Sequence, residues 1–96
     1  MSKTRREFFR IAIGGEVIEV PSLAAHNVRG ALVAMRAHDI ARKFAVEDDD
    51  IVLLARSDEH AVLGAVTACM KQGSDQRARD LLPLRNALRA DLRRDA

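Results

Sequence analysis

Between Glu7 and Val20 the chain reads Glu-Phe-Phe-Arg-Ile-Ala-Ile-Gly-Gly-Glu-Val-Ile-Glu-Val, with β-branched and aromatic residues on both sides of a Gly-Gly pair. Phe9, Ile11 and Ile13 alternate with Phe8, Arg10 and Ala12, and Val17 and Glu19 alternate with Ile18 and Val20. A period of two puts one side of each strand against a core. Gly14-Gly15 can take the positive φ angles that a two-residue hairpin turn demands, so a β-hairpin is predicted here.

Pro21 closes the hairpin, and Ser22 is a suitable N-cap for a helix starting near Leu23. Ala24, Val28, Ala31, Leu32 and Met35 fall on one helical stripe. Further on the phase changes: at 100° per residue Ile40 and Phe44 lie roughly 120–160° from that stripe, and Asp39 lands in its middle. A single straight helix over 23–45 therefore needs two buried faces. That helix is the preferred reading; the alternative is a break at Arg36 to Asp39, with Asp39 capping a short helix over 40–45.

Glu47 to Asp50 reads as a loop, and the apolar run Ile51 to Ala55 as a short strand buried on both faces. Ser57, Asp58 and Glu59 offer a cap and first-turn acids to a helix whose Val62, Leu63, Val66, Cys69 and Met70 share a face. Gly73 stops that helix and Ser74 caps a last one carrying Leu81, Leu82, Leu84, Leu88 and Leu92. Pro83 lies inside it and is expected to kink or restart it. The predicted fold is α+β in the order β-β-α-β-α-α: an N-terminal hairpin and one short buried strand packed against three or four helices. It forms a single small domain over 1–96, frayed at 1–5 and 93–96.

Size and composition narrow the chemistry. Ninety-six residues hold one modest core, which disfavours a deep active site, and 48% apolar with 31% charged residues excludes wholesale disorder. The only cysteine, Cys69, has no internal partner for a disulfide, and no apolar run approaches the roughly 18 residues that span a bilayer. The basic start and the stretch FFRIAIGG are interrupted by Arg10 and followed by charge, unlike a signal peptide. A cytoplasmic protein with no membrane partner is expected.

No catalytic, metal or cofactor site emerges. His26, His38, His60 and Cys69 match no compact ligand spacing. Ser57 is better used as a cap, and Cys69 lies on an apolar helix face where a thiol is inert. The net charge of +2 hides a segregation, since residues 47–60 sum to −5 between flanks 22–46 and 61–96 of +3 each. Glu47, Asp48, Asp49 and Asp50 thus form a candidate acidic knob for a basic partner. Two basic stripes, Arg29, Arg36 and Lys43 at seven-residue spacing and Arg85, Arg89 and Arg93 at four, are candidates for binding a protein partner or phosphates.

Ile40-Ala41, Phe44, Ala45-Val46, Ile51 and Leu54 reproduce an apolar mask that resembles the helix-turn-helix family over about twenty residues. The resemblance implies a dimeric DNA-binding regulator. Its outward surface nevertheless carries Glu47, Asp48 and Asp49, which phosphates repel. Leu81, Leu84, Leu88 and Leu92 form a stripe suited to the core or to a homodimer. The leading expectation is a small non-enzymatic regulatory or inhibitory protein acting by protein–protein contact, of the phage-inhibitor or antitoxin-like kind; DNA binding is the alternative.

Overall fold

A computed structural model describes residues 8–44 and 51–94. In it Gly14 and Gly15 take φ values of 56° and 86°, the left-handed pair that glycine tolerates and that suits the twist of a hairpin. The turn joins β1 (Phe8–Ile13) to β2 (Glu16–Pro21), antiparallel and in register from Phe8 opposite Pro21 to Ile13 opposite Glu16. Phe9, Ile11, Ile13 and Val20 are buried, and Ile18 packs against the same core. The alternating pattern therefore marks the core face as expected.

Helix α1 (Ser22–Ala34) buries Ala24, Ala25, Val28 and Leu32. It ends where the phase of the apolar pattern fails. The Arg36 amide donates to the Val33 carbonyl and the Ala37 amide to the Leu32 carbonyl, each at 2.9 Å. Arg36 sits at φ 65°. These are the paired bonds of a Schellman motif, with arginine in the position that favours glycine. The straight helix over 23–45 is thus not formed. Instead α2 (His38–Lys43) restarts after Ala37, and Ala41 and Phe44 join the core. Asp39 does not cap it; lying in its first turn, the carboxylate pairs with Arg42 at 3.3 Å.

The apolar run after the acidic segment gives β3 (Val52–Leu53), parallel to β1 through Ile11–Val52 and Ala12–Leu53, in the sheet order β2-β1-β3. It is not buried on both faces. Val52 and Leu54 enter the core, whereas Leu53 is 75% exposed and Ile51 also reaches the surface. The cause is a one-sided architecture, in which the core residues of all three strands share one sheet face. A continuous apolar run carries no information about which of its faces finds a neighbour.

A 3-10 turn at Arg56–Asp58 leads into α3 (Glu59–Gln72), and α4 (Asp75–Arg93) follows Gly73-Ser74. Ser74 Oγ accepts the Arg77 amide at 3.2 Å, the predicted cap. Asp58 occupies the N-cap position of α3 but makes no cap bond, because its carboxylate accepts from Lys43 Nζ at 2.8 Å. Helix α4 passes through Pro83 without restarting. Pro83 and Arg79, whose carbonyl loses its helical donor, are both exposed, so water can serve that acceptor.

Helix α3 packs between α1 and α4, and α4 also covers β2. Phe9 and Phe44 stack with ring centroids 5.7 Å apart, tying β1 to the end of α2. The result is an α+β fold of a three-stranded sheet and four helices. The expected fraying at 1–5 lies outside the described residues, while at the other end α4 continues through Arg93. No described helix is long and apolar enough to cross a membrane.

Candidate partner-binding site

Strand register places Leu53, Ala12 and Val17 side by side in one row across the outer face of β3, β1 and β2. Beside this row Arg10 and Glu19, opposite one another on β1 and β2, form an exposed ion pair at 3.6 Å. Phe8 lies beyond the pair, and Ile51 precedes β3 on the same face. Phe8, Val17, Ile51 and Leu53 are four of the exposed large apolar side chains among the described residues. Neither outer edge, of β2 or of β3, has a strand partner among those residues, so backbone donors and acceptors line both borders of the patch.

The residues singled out from sequence fare unequally. Glu47, Asp48, Asp49 and Asp50 lie outside the described residues. Arg29, Arg36 and Lys43 do not make one stripe, because seven-residue spacing aligns side chains only along an unbroken helix and the chain turns at Arg36. Lys43 is engaged by Asp58. Arg29 instead lines a shallow groove between α1 and α2 with Val33, His38, Ala41 and Arg42.

The second basic stripe keeps its geometry on α4. Arg89 and Arg93 are exposed, and Arg85 is half-buried with its Nε enclosed and without a hydrogen-bond partner. The leucine stripe is not an available dimer face: Leu81, Leu84 and Leu88 are fully buried in the chain's own core, and Leu92 is half-buried. A face needed to fold the monomer cannot also meet a second copy. The helix-turn-helix resemblance needs its second helix to run through Ile51 to Leu54, and there Val52–Leu53 is extended.

The burial of two acids is not foreshadowed by the sequence reading, although Glu59 does take its expected place in the first turn of α3. Glu59, 1% exposed, opens α3, where the helix dipole favours a carboxylate. Asp91, 6% exposed, faces Arg56 Nη1 at 3.5 Å and Arg94 Nη1 at 3.7 Å. Arg56 Nη2 also donates to the Asp91 carbonyl at 2.7 Å. The one signal in the sequence was position: Asp91 follows Leu84 and Leu88 on the inward face of α4.

Cys69 is buried and its Sγ donates to the Asn27 carbonyl at 3.3 Å. Burial pushes its pKa up, and the Arg77 charge only partly opposes this, so the thiolate that nucleophilic chemistry needs is disfavoured. Among the described residues no group of three His, Cys, Asp or Glu side chains could hold a metal ion. Comparison with known proteins finds no matching family model, no matching curated protein and no matching solved structure.

Proposed function

We propose that the protein is a small non-enzymatic regulator or inhibitor that works in the cytoplasm by binding another protein through the open face of its sheet. The observation that carries this reading is the aliphatic row Leu53, Ala12 and Val17, flanked by Ile51 and Phe8, on a face whose large side chains stand at the surface. Contiguous apolar patches of this kind on a small soluble fold mark contact surfaces. The Arg10–Glu19 pair beside the row supplies charges of both signs that fix the register of a partner. The edges of β2 and β3, which have no strand partner among the described residues, add main-chain groups for strand addition. A lone buried thiol suits a reducing compartment.

The test is photo-crosslinking in the native host, with the reactive residue at position 53 and, as a control, at exposed Gln72. One stoichiometric protein adduct at 53 and none at 72 is the expected result. Equal labelling at both positions, or none at either, would contradict the reading, and an adduct of twice the chain mass would identify a second copy as the occupant.

A further inference from the structure

From Arg79 to Arg93 helix α4 segregates its charges around its circumference, whereas Asp75, one turn earlier, shares the side of Arg79, and Arg77 lies on the opposite side. At 3.6 residues per turn Arg79, Arg85, Arg89 and Arg93 fall within about a third of the circumference and extend roughly 21 Å along the axis. The acids of the same stretch, Asp80 and Asp91, lie on the other side of the helix. Asp91 is turned inward onto Arg56, and Asp80 accepts from Gln76 at 2.8 Å. Along the stripe itself, Arg85, Arg89 and Arg93 repeat at four-residue spacing, and the one carboxylate within that span, Asp91, lies on the opposite face. Like charges at that spacing destabilise a helix. None of these three arginines has an ion-pair partner among the described residues. Among the described residues the row thus lacks countercharge, which a ligand would supply.

We infer that this face of α4 docks on the phosphate backbone of duplex nucleic acid, without reading its sequence. Planar guanidinium groups bind phosphate oxygens in a forked geometry, and Asn86, which lines a shallow depression with Arg89, Ala90 and Arg93, adds a neutral donor. Single-stranded nucleic acid is disfavoured because Phe9 and Phe44 are buried and Phe8 stands on the sheet, leaving no aromatic platform on this helix. A membrane surface is disfavoured because the apolar side of α4, Leu81, Leu84 and Leu88, is enclosed in the core. An acidic protein is disfavoured because the stripe offers Leu82 as its single large apolar side chain, too little for the desolvated centre of a protein interface. The inference stands apart from the sheet-face reading, since it uses a different surface.

The experiment is a fluorescence titration of the full chain with a labelled 20-base-pair duplex of arbitrary sequence at several salt concentrations. Three to four phosphate contacts give a slope of log affinity against log salt of about −3. Arg89→Ala and Arg93→Ala are each expected to flatten the slope by about 1. The double variant Arg89→Glu/Arg93→Glu is expected to abolish binding while keeping the wild-type circular dichroism, and the single reversal Lys71→Glu on α3 to leave binding within about twofold. No binding at about 50 mM salt, binding unaffected by the double reversal, or tighter binding to polyglutamate or to phosphatidylserine vesicles than to the duplex would each overturn the inference.

Discussion

The Asp91 carboxylate lies directly over Gly14, so that a Cβ on this glycine would stand 2.9 Å from Asp91 Cγ and closer still to Oδ1. The hairpin turn and the last helix are thereby fitted to each other, and Gly14 is required twice: for its φ of 56° and for its missing side chain. Its neighbour Gly15, at φ 86°, has nothing within 4 Å of its Cβ position. Chemical denaturation separates the two demands. Gly14→Ala is expected to lose about 2–4 kcal/mol, from backbone strain plus displacement of a buried charge, and Gly15→Ala about 1 kcal/mol, from strain alone. Equal losses would remove Asp91 from the account of the turn.

Asp91 also depends on Arg56, which holds both its carboxylate and its carbonyl. Arg56→Met is expected to cost about 1–3 kcal/mol, because it leaves a buried carboxylate with only the more distant Arg94. In a double-mutant cycle with Asp91→Leu the loss in the double variant should be smaller than the sum of the two single losses, giving a coupling of at least about 0.5 kcal/mol. Strict additivity would show that the two side chains act independently.

The Schellman turn at Arg36 makes a prediction of opposite sign. Arginine at φ 65° carries a Cβ cost that glycine avoids, so Arg36→Gly is expected to stabilise the fold by up to about 1 kcal/mol and Arg36→Val to destabilise it. Denaturation midpoints that fall for both would mean that the arginine side chain, not its backbone, matters at this corner.

Much of this architecture was legible in the residues. Gly14-Gly15 between alternating strands specified the hairpin and its core face, and Ser74 specified the start of α4, because turn and cap chemistry are local. The break after α1 showed only as a conflict: Asp39 fell in the buried stripe of a straight helix, but no glycine announced the turn that Arg36 makes. Leu53 was misplaced because burial depends on what lies across a sheet, and a run of five apolar residues reads the same with one neighbour or two. Pairing also hid chemistry. Lys43 looked free until the fold brought Asp58, fifteen residues away, to its ammonium. Among the candidate sites within the described residues, the arginine row of α4 keeps its spacing on one helix face and the Arg29–Arg36–Lys43 row does not; the apolar sheet face became visible only once the register was known.

Cys69 gives the fold a dependence on pH at the alkaline end. Burial raises its pKa above the ordinary value of 9.0, against the pull of Arg77, so the unfolded chain releases this proton first as the pH rises. The unfolded state then binds fewer protons than the folded one, and stability falls with pH. The contribution is complete below about pH 9 and is lost as the pH climbs through the folded value. Urea midpoints near pH 8 and near pH 10 should converge in Cys69→Ala relative to wild type. Parallel profiles for the two proteins would contradict a buried neutral thiol.

The open sheet face is the centre of the functional reading, and its side chains add little to folding. Val17→Glu/Leu53→Glu is therefore expected to keep the unfolding free energy within about 0.5 kcal/mol of wild type. The most direct test is calorimetric titration of the purified protein crosslinked at position 53 against wild type and against this double variant. Loss of two apolar contacts from an interface predicts a Kd raised about 100-fold with the fold intact; an unchanged Kd would show that the partner binds elsewhere on the chain.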